Sequence, residues 1–491
     1  MNYNFPKGAP PFWLLILMLS GCTIPGDAYE PQIGPSQTPA IVSEVQKGNT
    51  DAELAARQRP EILARFGGEY KDAKTERLVA RIEGALTAVD ENPQQSFRVT
   101  ILDSPTINAF AFPGGYLYVT RGLLALASDA SEVAAVLGHE MAHVTENHGY
   151  QRAQQAETEE IADQVVAHLF PNDRVNELAT RAKGKMRLAA FSRLQEVQAD
   201  EIGIRTIGEA GYDPYAAADF LTTMQTYNDF LSGGTSSSTQ AVDFLADHPS
   251  TPQRVALARD RASAFGQEGK VGERGHDYYL NGIDGMLYGP SPDGGLLRDN
   301  TLLLPQIGIR FAFPAGFTAE NDNGVVQAGG PQDSAIRYDS ISDDGIGSLS
   351  DYLSSGWVTG LDKESVHQVS FQGLEGAVAS AASDQWFFDV VVVRANKKIL
   401  RFIVAAQKRD ALASITTPLC DSIRKMTDAE INDAKPTRIR VITAGPNDSV
   451  DTLASRMDGV ASPVEMFQII NGLPDGYAVH PGELFKIISS R

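Results

Sequence analysis

SEVAAVLGHEMAHVTENH, residues 131–148, decides how this 491-residue chain is read. Its apolar residues Val133, Val136, Leu137, Met141 and Val144 recur at helical spacing, and Ser131 stands where a helix N-cap is expected. Within that helix, His139 and His143 are four residues apart, about 40° around the axis and one turn apart in height. Two imidazoles so placed can share one Zn²⁺ at about 2.0–2.1 Å each. Glu140 then lies beside the metal, where it can take a proton from a bound water whose pKa the ion lowers to about 7. A chance HExxH is expected in about one chain in a hundred with this few histidines, so the pattern points to a hydrolytic metal site.

Such a site needs a further protein ligand and an open position for water. The candidates are the remaining histidines and a carboxylate from another helix. FSRLQEVQADEIGIRTI (191–207) offers Glu196 and Asp200, four apart on one helical face. Glu196 would bind the ion, and Asp200 would hydrogen-bond the far nitrogen of a ligand imidazole and fix its tautomer. His148, five residues past His143 and about 140° away on a continuous helix, reads as structural. Cys22 and Cys420 are the only cysteines. They cannot form a disulfide framework or a thiolate zinc site, so the metal must be held by His and carboxylate.

The net charge of -20 and pI near 4.8 argue against nucleic acid as a partner. FWLLILML (12–19) is too short to span a bilayer. With Leu19-Ser20-Gly21-Cys22 after it, it resembles a bacterial lipoprotein signal. Residues 1–22 thus read as a signal ending in a lipidated Cys22, and 23–50 as a flexible tether. Residues 51–266 are mostly helical, with short strands in FRVTILDSP (97–105) and NAFAFPGGYLYVTRG (108–122). Residues 267–299 are polar and Gly-rich and read as a linker. Strand patterns dominate 300–430, an α+β domain, and 437–490 form a small terminal unit.

The linked segments NAFAFPGGYLYVTRGLLAL, HEMAHVTENH and SRLQEVQADEIG, over about residues 52–264, resemble the zinc metallopeptidase family of the HtpX heat-shock protease and the type I CAAX prenyl protease, in outline its soluble periplasmic BepA-like members. The resemblance implies one Zn²⁺ per chain held by His139, His143 and Glu196, with Glu140 as general base. It also implies that Asn108, Ala109, Phe110 and Ala111 begin a segment leading to an edge strand that pairs with an extended substrate backbone, which agrees with peptide binding by strand addition. In ADHPSTPQRV (246–255), His248 and Arg254 match the family's His-Pro…Arg segment. There His248 resembles a removable plug on the zinc; donation to an oxyanion and capping of the helix near Thr251 are the alternatives. The terminal unit resembles a LysM module, with Asn471-Gly472-Leu473 and Pro481-Gly482 as its marks, and FPAGF (313–317) resembles PsbP-type domains.

The expected fold is therefore multidomain α+β: a mainly helical, gluzincin-like HExxH domain with a small sheet, an α+β domain, and a LysM-like βααβ module. The expected function is a zinc metalloendopeptidase, lipid-anchored on the periplasmic side of a Gram-negative outer membrane and acting on misfolded or stalled envelope proteins. Its terminal module would contact peptidoglycan or assembly machinery. A zinc-containing chaperone or wall-binding assembly factor with little proteolysis is the alternative.

Overall fold

The computed structural model describes residues 48–490 apart from 91, 93–94, 170–173, 234–243, 246–247, 323, 384 and 461. Cys22, the signal and most of the tether lie outside the described residues. Among the described residues no helix is long and apolar enough to cross a membrane.

The first part of the chain runs α1 (Gly48–Arg65), α2 (Ala73–Thr87), β1 (Arg98–Leu102), β2 (Ala109–Phe112), β3 (Tyr116–Thr120), α3 (Arg121–Leu126), α4 (Ala130–Thr145), α5 (His148–Leu169), α6 (Arg174–Glu209), α7 (Ala216–Gly233), α8 (Pro252–Ser263) and α9 (His276–Ile283). The strand order is β1-β3-β2, with β1 parallel and β2 antiparallel to β3, which leaves β2 at one edge. Strand pleating sends Ala109 and Ala111 to one face and Phe110 and Phe112 to the other. The alanine face is the one that α4 packs against, so small side chains let the helix come close. Phe110 stacks instead on Tyr118 and meets Phe66, with ring centroids 5.0 and 5.3 Å apart.

Helix α4, which carries the HExxH residues, is buried from Ala130 to His143. Its N-cap is Asp129, whose side chain accepts from the Glu132 amide. Ser131, the expected cap, lies one residue inside the helix and donates to the Glu273 carbonyl. α4 and α6 touch at Gly138 and Gly203. A Cβ added at Gly203 would stand 2.9 Å from the His139 amide nitrogen, so this approach tolerates no side chain.

The expected linker at 267–299 is corrected by α9. Tyr279, Leu280 and Ile283, with Met286 and Leu287 just beyond, belong to the same core as α4. Polar and glycine residues around this helix mask a short apolar pattern, which the local composition read as loop.

Beyond it come β4 (Leu296–Arg298), β5 (Thr301–Leu304), β6 (Ile309–Ala312), β7 (Thr318–Asp322), β8 (Val325–Gly329), β9 (Ala335–Ser342), α10 (Leu349–Tyr352), β10 (Leu361–Phe371), β11 (Leu374–Ala382), β12 (Phe387–Ala395), β13 (Lys398–Ala406), α11 (Arg409–Ser422), β14 (Arg424–Lys425) and α12 (Asp428–Asp433). They build a seven-stranded sheet, β10-β11-β12-β13-β9-β8-β7, and a four-stranded one, β14-β6-β5-β4. Tyr338 is buried in this domain's core against Phe311 and Phe402.

The last elements are β15 (Arg438–Thr443), α13 (Val450–Ala454), α14 (Pro463–Ile470) and β16 (Leu484–Ser489), with β15 and β16 antiparallel. This βααβ unit does not stand apart. Ile439, Met466, Ile469, Ile470 and Ile488 share the core that holds Val133 and Leu137 of α4. Lys486 is fully buried, and its Nζ donates to the carbonyls of Ala125, Leu126 and Ala127 at the end of α3, at 2.9, 3.3 and 2.5 Å. Those carbonyls have no intrahelical partner. The buried carboxylates of Glu132 and Asp129, at the start of α4, compensate the ammonium; burial pulls Lys486 down and pushes Glu132 up, and each charge opposes the other's shift.

Replacing Lys486 by Met leaves Glu132 and three carbonyls without the ammonium, while Asp129 keeps Arg274. The expected loss is about 3–5 kcal/mol, read from urea unfolding, and a Lys486→Met/Glu132→Leu double variant should recover much of it.

Candidate metal centre

His139, His143, Glu196 and His248 each offer one donor atom to a common point, with all four atoms within 4.8 Å of one another. Two of these residues come from α4, one from α6, and His248 from the chain just ahead of α8. The Gly138–Gly203 contact places α6 against α4, one to two turns from Glu196 and Asp200. His139 Nε2 is 3.0 Å from His143 Nε2, and Glu196 lies 3.4 and 3.5 Å from the two nitrogens. Ligands of a tetrahedral zinc stand about 3.3 Å apart at these bond lengths.

The protonation pattern makes the cluster fit a cation. His139 Nδ1 sits 2.9 Å from Asp200 Oδ1, so that nitrogen carries a proton and Nε2 faces the cluster. Two nitrogens whose lone pairs meet at this distance repel one another unless a positive charge lies between them. Glu196 Oε1 is buried with no hydrogen-bond partner, an orphan that a metal would satisfy. Three nitrogen or oxygen donors of borderline softness suit zinc.

Without a metal, Nε2 of His139 would itself hold a proton: burial would lower the His139 pKa, but the Asp200 and Glu196 carboxylates more than reverse it, to about 10, and only an ion in the cluster would displace that proton and leave Nε2 bare. Burial would raise Glu196, yet hydrogen bonds from His139 and His248 hold it well below the usual carboxylate range. Glu140 is the exception among the acids: burial raises it, and the charges on His248 and His139 and the Ala111 amide only partly oppose this. Its Oε1 has no hydrogen-bond partner and lies 3.5 Å from His248 Nε2.

Arg254 ties the acids together. Its Nε and Nη2 both donate to Asp200 at 2.7 Å, Nη1 stands 3.3 Å from Glu196, and Nη1 also donates to the Pro249 carbonyl. His248 is placed by this anchor and by Phe244, whose ring stacks on it with centroids 4.6 Å apart. Its Nδ1 lies 2.9 Å from Glu196 Oε2 and 3.2 Å from His139 Nε2. It does not cap α8, because Thr251 does so by accepting from the Arg254 amide.

Asn108 is buried, its amide donating to Thr120 Oγ1 and its carbonyl accepting from the Thr120 amide. Ala109, Phe110 and Ala111 lie on β2, at the sheet edge beside α4. The sequence reading missed two contacts. The Gly138–Gly203 crossing is one; the other is His148, buried with Nδ1 2.9 Å from His143 Nδ1. His148 is not among the four donors; its contact with His143 was hidden because α4 stops at Thr145 and Asn147 turns left-handed, at φ 55, so the chain doubles back before His148.

These features join the two histidines of an HExxH helix with a carboxylate from a second helix and His248 in one candidate metal centre. Residues 72–262 match the sequence model of Peptidase family M48. The chain is 26% identical over 261 residues to the beta-barrel assembly-enhancing protease of Escherichia coli (strain K12), covering 51% of this chain and 50% of that protein. It is 27% identical over 197 residues to the mitochondrial metalloendopeptidase OMA1 of Schizosaccharomyces pombe (strain 972), covering 40% and 56%. It thus spans about half the length of the curated relatives it matches. Among solved structures, cyanobacterial PsbP from Synechocystis sp. PCC 6803 aligns with 24% of the chain and 88% of its own, at TM-score 0.21 and 13% identity. The family match ends before the βααβ unit, so its LysM resemblance rests on the sequence marks alone.

Asp200→Ala removes the acceptor that orients His139 and releases Arg254. Zinc affinity, measured by chelator competition, is expected to fall about 10–100-fold.

Proposed function

We propose that the chain is a zinc-dependent endopeptidase that cleaves unfolded or misassembled proteins of the bacterial envelope. The observation that carries this reading is the Glu140 carboxylate, buried, with one oxygen free of hydrogen bonds, and set beside a four-donor cluster whose fourth donor is His248. A structural metal site has no use for a spare carboxylate there.

His139, His143 and Glu196 would hold the zinc, which when bound supplies Lewis-acid polarisation of the scissile carbonyl and of water. Glu140 accepts the proton of the attacking water and returns it to the departing amine, a shuttle suited to a carboxylate whose pKa burial has raised. The substrate backbone adds to the free edge of β2, held beside α4 by the small side chains Ala109 and Ala111. His248 occupies the place the water and the scissile bond require, so the resting enzyme is latent until the His248 side chain withdraws. Arg254 keeps the acids aligned while it does so.

The envelope assignment draws on the relatives' name and on the lipoprotein-like start. Cys22 would carry the lipid and hold the enzyme at the periplasmic face of the outer membrane. The βααβ unit would contribute any contact with peptidoglycan or assembly machinery.

The test compares casein cleavage and zinc content for the form beginning after Cys22, in wild type, Glu140→Gln and His248→Ala. Zinc in all three is expected, with Glu140→Gln inactive by at least about 100-fold and His248→Ala more active than wild type. A loss of activity in His248→Ala would assign it to oxyanion stabilisation instead. Zinc without cleavage in any variant would favour the chaperone, and no zinc would overturn the proposal.

A further inference from the structure

His148 is fully buried, touches a candidate metal ligand, and has no task in the chemistry above. Its two ring nitrogens are both engaged: Nδ1 lies 2.9 Å from His143 Nδ1, and Nε2 lies 3.3 Å from Gln198 Oε1. The far end of Gln198 decides which atom donates at each link. Gln198 Nε2 is 2.7 Å from Glu146 Oε2. An ionised carboxylate only accepts, so the amide must turn its NH₂ toward Glu146. Its carbonyl oxygen then faces His148 and can only accept, which requires the His148 proton on Nε2. His148 Nδ1 is therefore a bare acceptor, and the contact with His143 requires the His143 proton on Nδ1. The one nitrogen left bare is His143 Nε2, the atom that faces His139 and Glu196.

We propose that Glu146, Gln198 and His148 form a directional hydrogen-bond relay that holds His143 in the tautomer a metal needs, making all three positioning residues of the site. The inference rests on His143 being a metal ligand.

The relay is built into the same framework as the donors. Glu146 is the C-cap of α4, His148 opens α5 just past the left-handed Asn147, and Gln198 sits two residues beyond Glu196 on α6. Gln195, from the same turn of α6, fixes the His148 backbone by donating to its carbonyl at 3.2 Å. The two ligand imidazoles are thus oriented by different devices. His139 has a carboxylate directly behind it, whereas His143 has a neutral imidazole and amide, with the charge three groups away. Glu140, Glu196 and Asp200 already crowd the centre with negative charge. A neutral second acceptor orients His143 without adding another buried anion.

The test is zinc affinity by chelator competition on metal-free protein, with the melting temperature of each metal-free variant recorded beside it. His148→Phe keeps a ring but removes the acceptor, and Gln198→Leu removes the link that sets direction. Each is expected to weaken zinc binding about 10–100-fold while the metal-free protein melts near wild type. The decisive variant is the exchange Glu146→Gln/Gln198→Glu, in which the amide at 146 donates to the carboxylate at 198 and that carboxylate still accepts from His148. Direction is preserved, so affinity should return close to wild type. Wild-type affinity in both single variants would overturn the relay. So would an exchange variant as weak as Gln198→Leu. Should a single variant lose metal-free stability, the exchange variant alone decides. Wild type that binds no zinc would overturn the metal reading itself, and the relay with it.

Discussion

Everything at the centre depends on how closely two helices can approach. Gly138 precedes the first histidine of the motif by one residue, and Gly203 follows Asp200 by three. Their backbones meet with no room for a methyl group between them. That contact sets the reach of each carboxylate on α6 toward each imidazole on α4. A separation larger by the width of one side chain would leave Glu196 and Asp200 out of hydrogen-bond range, since these distances are already between 2.9 and 3.5 Å.

The second constraint is electrostatic. Three acids, Glu140, Glu196 and Asp200, and four basic groups, His139, His143, His248 and Arg254, are gathered around one point, where any unpaired charge is costly. The arrangement manages this by giving each acid a separate task. Asp200 is held by Arg254 and His139. Glu196 turns Oε2 to His248 and keeps Oε1 without a hydrogen-bond partner near His143, and Glu140 likewise keeps Oε1 without one. Glu140 differs from Glu196 in offering no atom to the donor cluster.

The spacing of His139, Glu140 and His143 and the helical period around them made the central helix, two of the four donors and the glutamate beside them legible from the sequence. Glu196 and Asp200 were legible only as a candidate pair, because an acid pair on a helix is ordinary until something is seen to require it. The contact of His148 with His143 was illegible for a definite reason: angular arithmetic assumes the helix continues, and a left-handed asparagine ended it. Gly138 and Gly203 carried no signal in isolation, since a glycine in a helix announces a close approach without naming the partner. The helix at 276–283 and the docking of the terminal unit were hidden because both depend on contacts with residues far away in sequence.

That docking sets a clock on the enzyme. The ammonium that closes the seam between α3 and α4 belongs to a residue about 360 positions later in the chain, at Lys486. Contacts of such sequence separation form late, because the intervening chain must first surrender its freedom. During synthesis the helix bearing the histidines is made long before the strand that completes its surroundings. The helical domain is therefore short of part of its core until the chain has been made at least as far as Lys486, an interval in which the helix bearing the histidines lacks its full support.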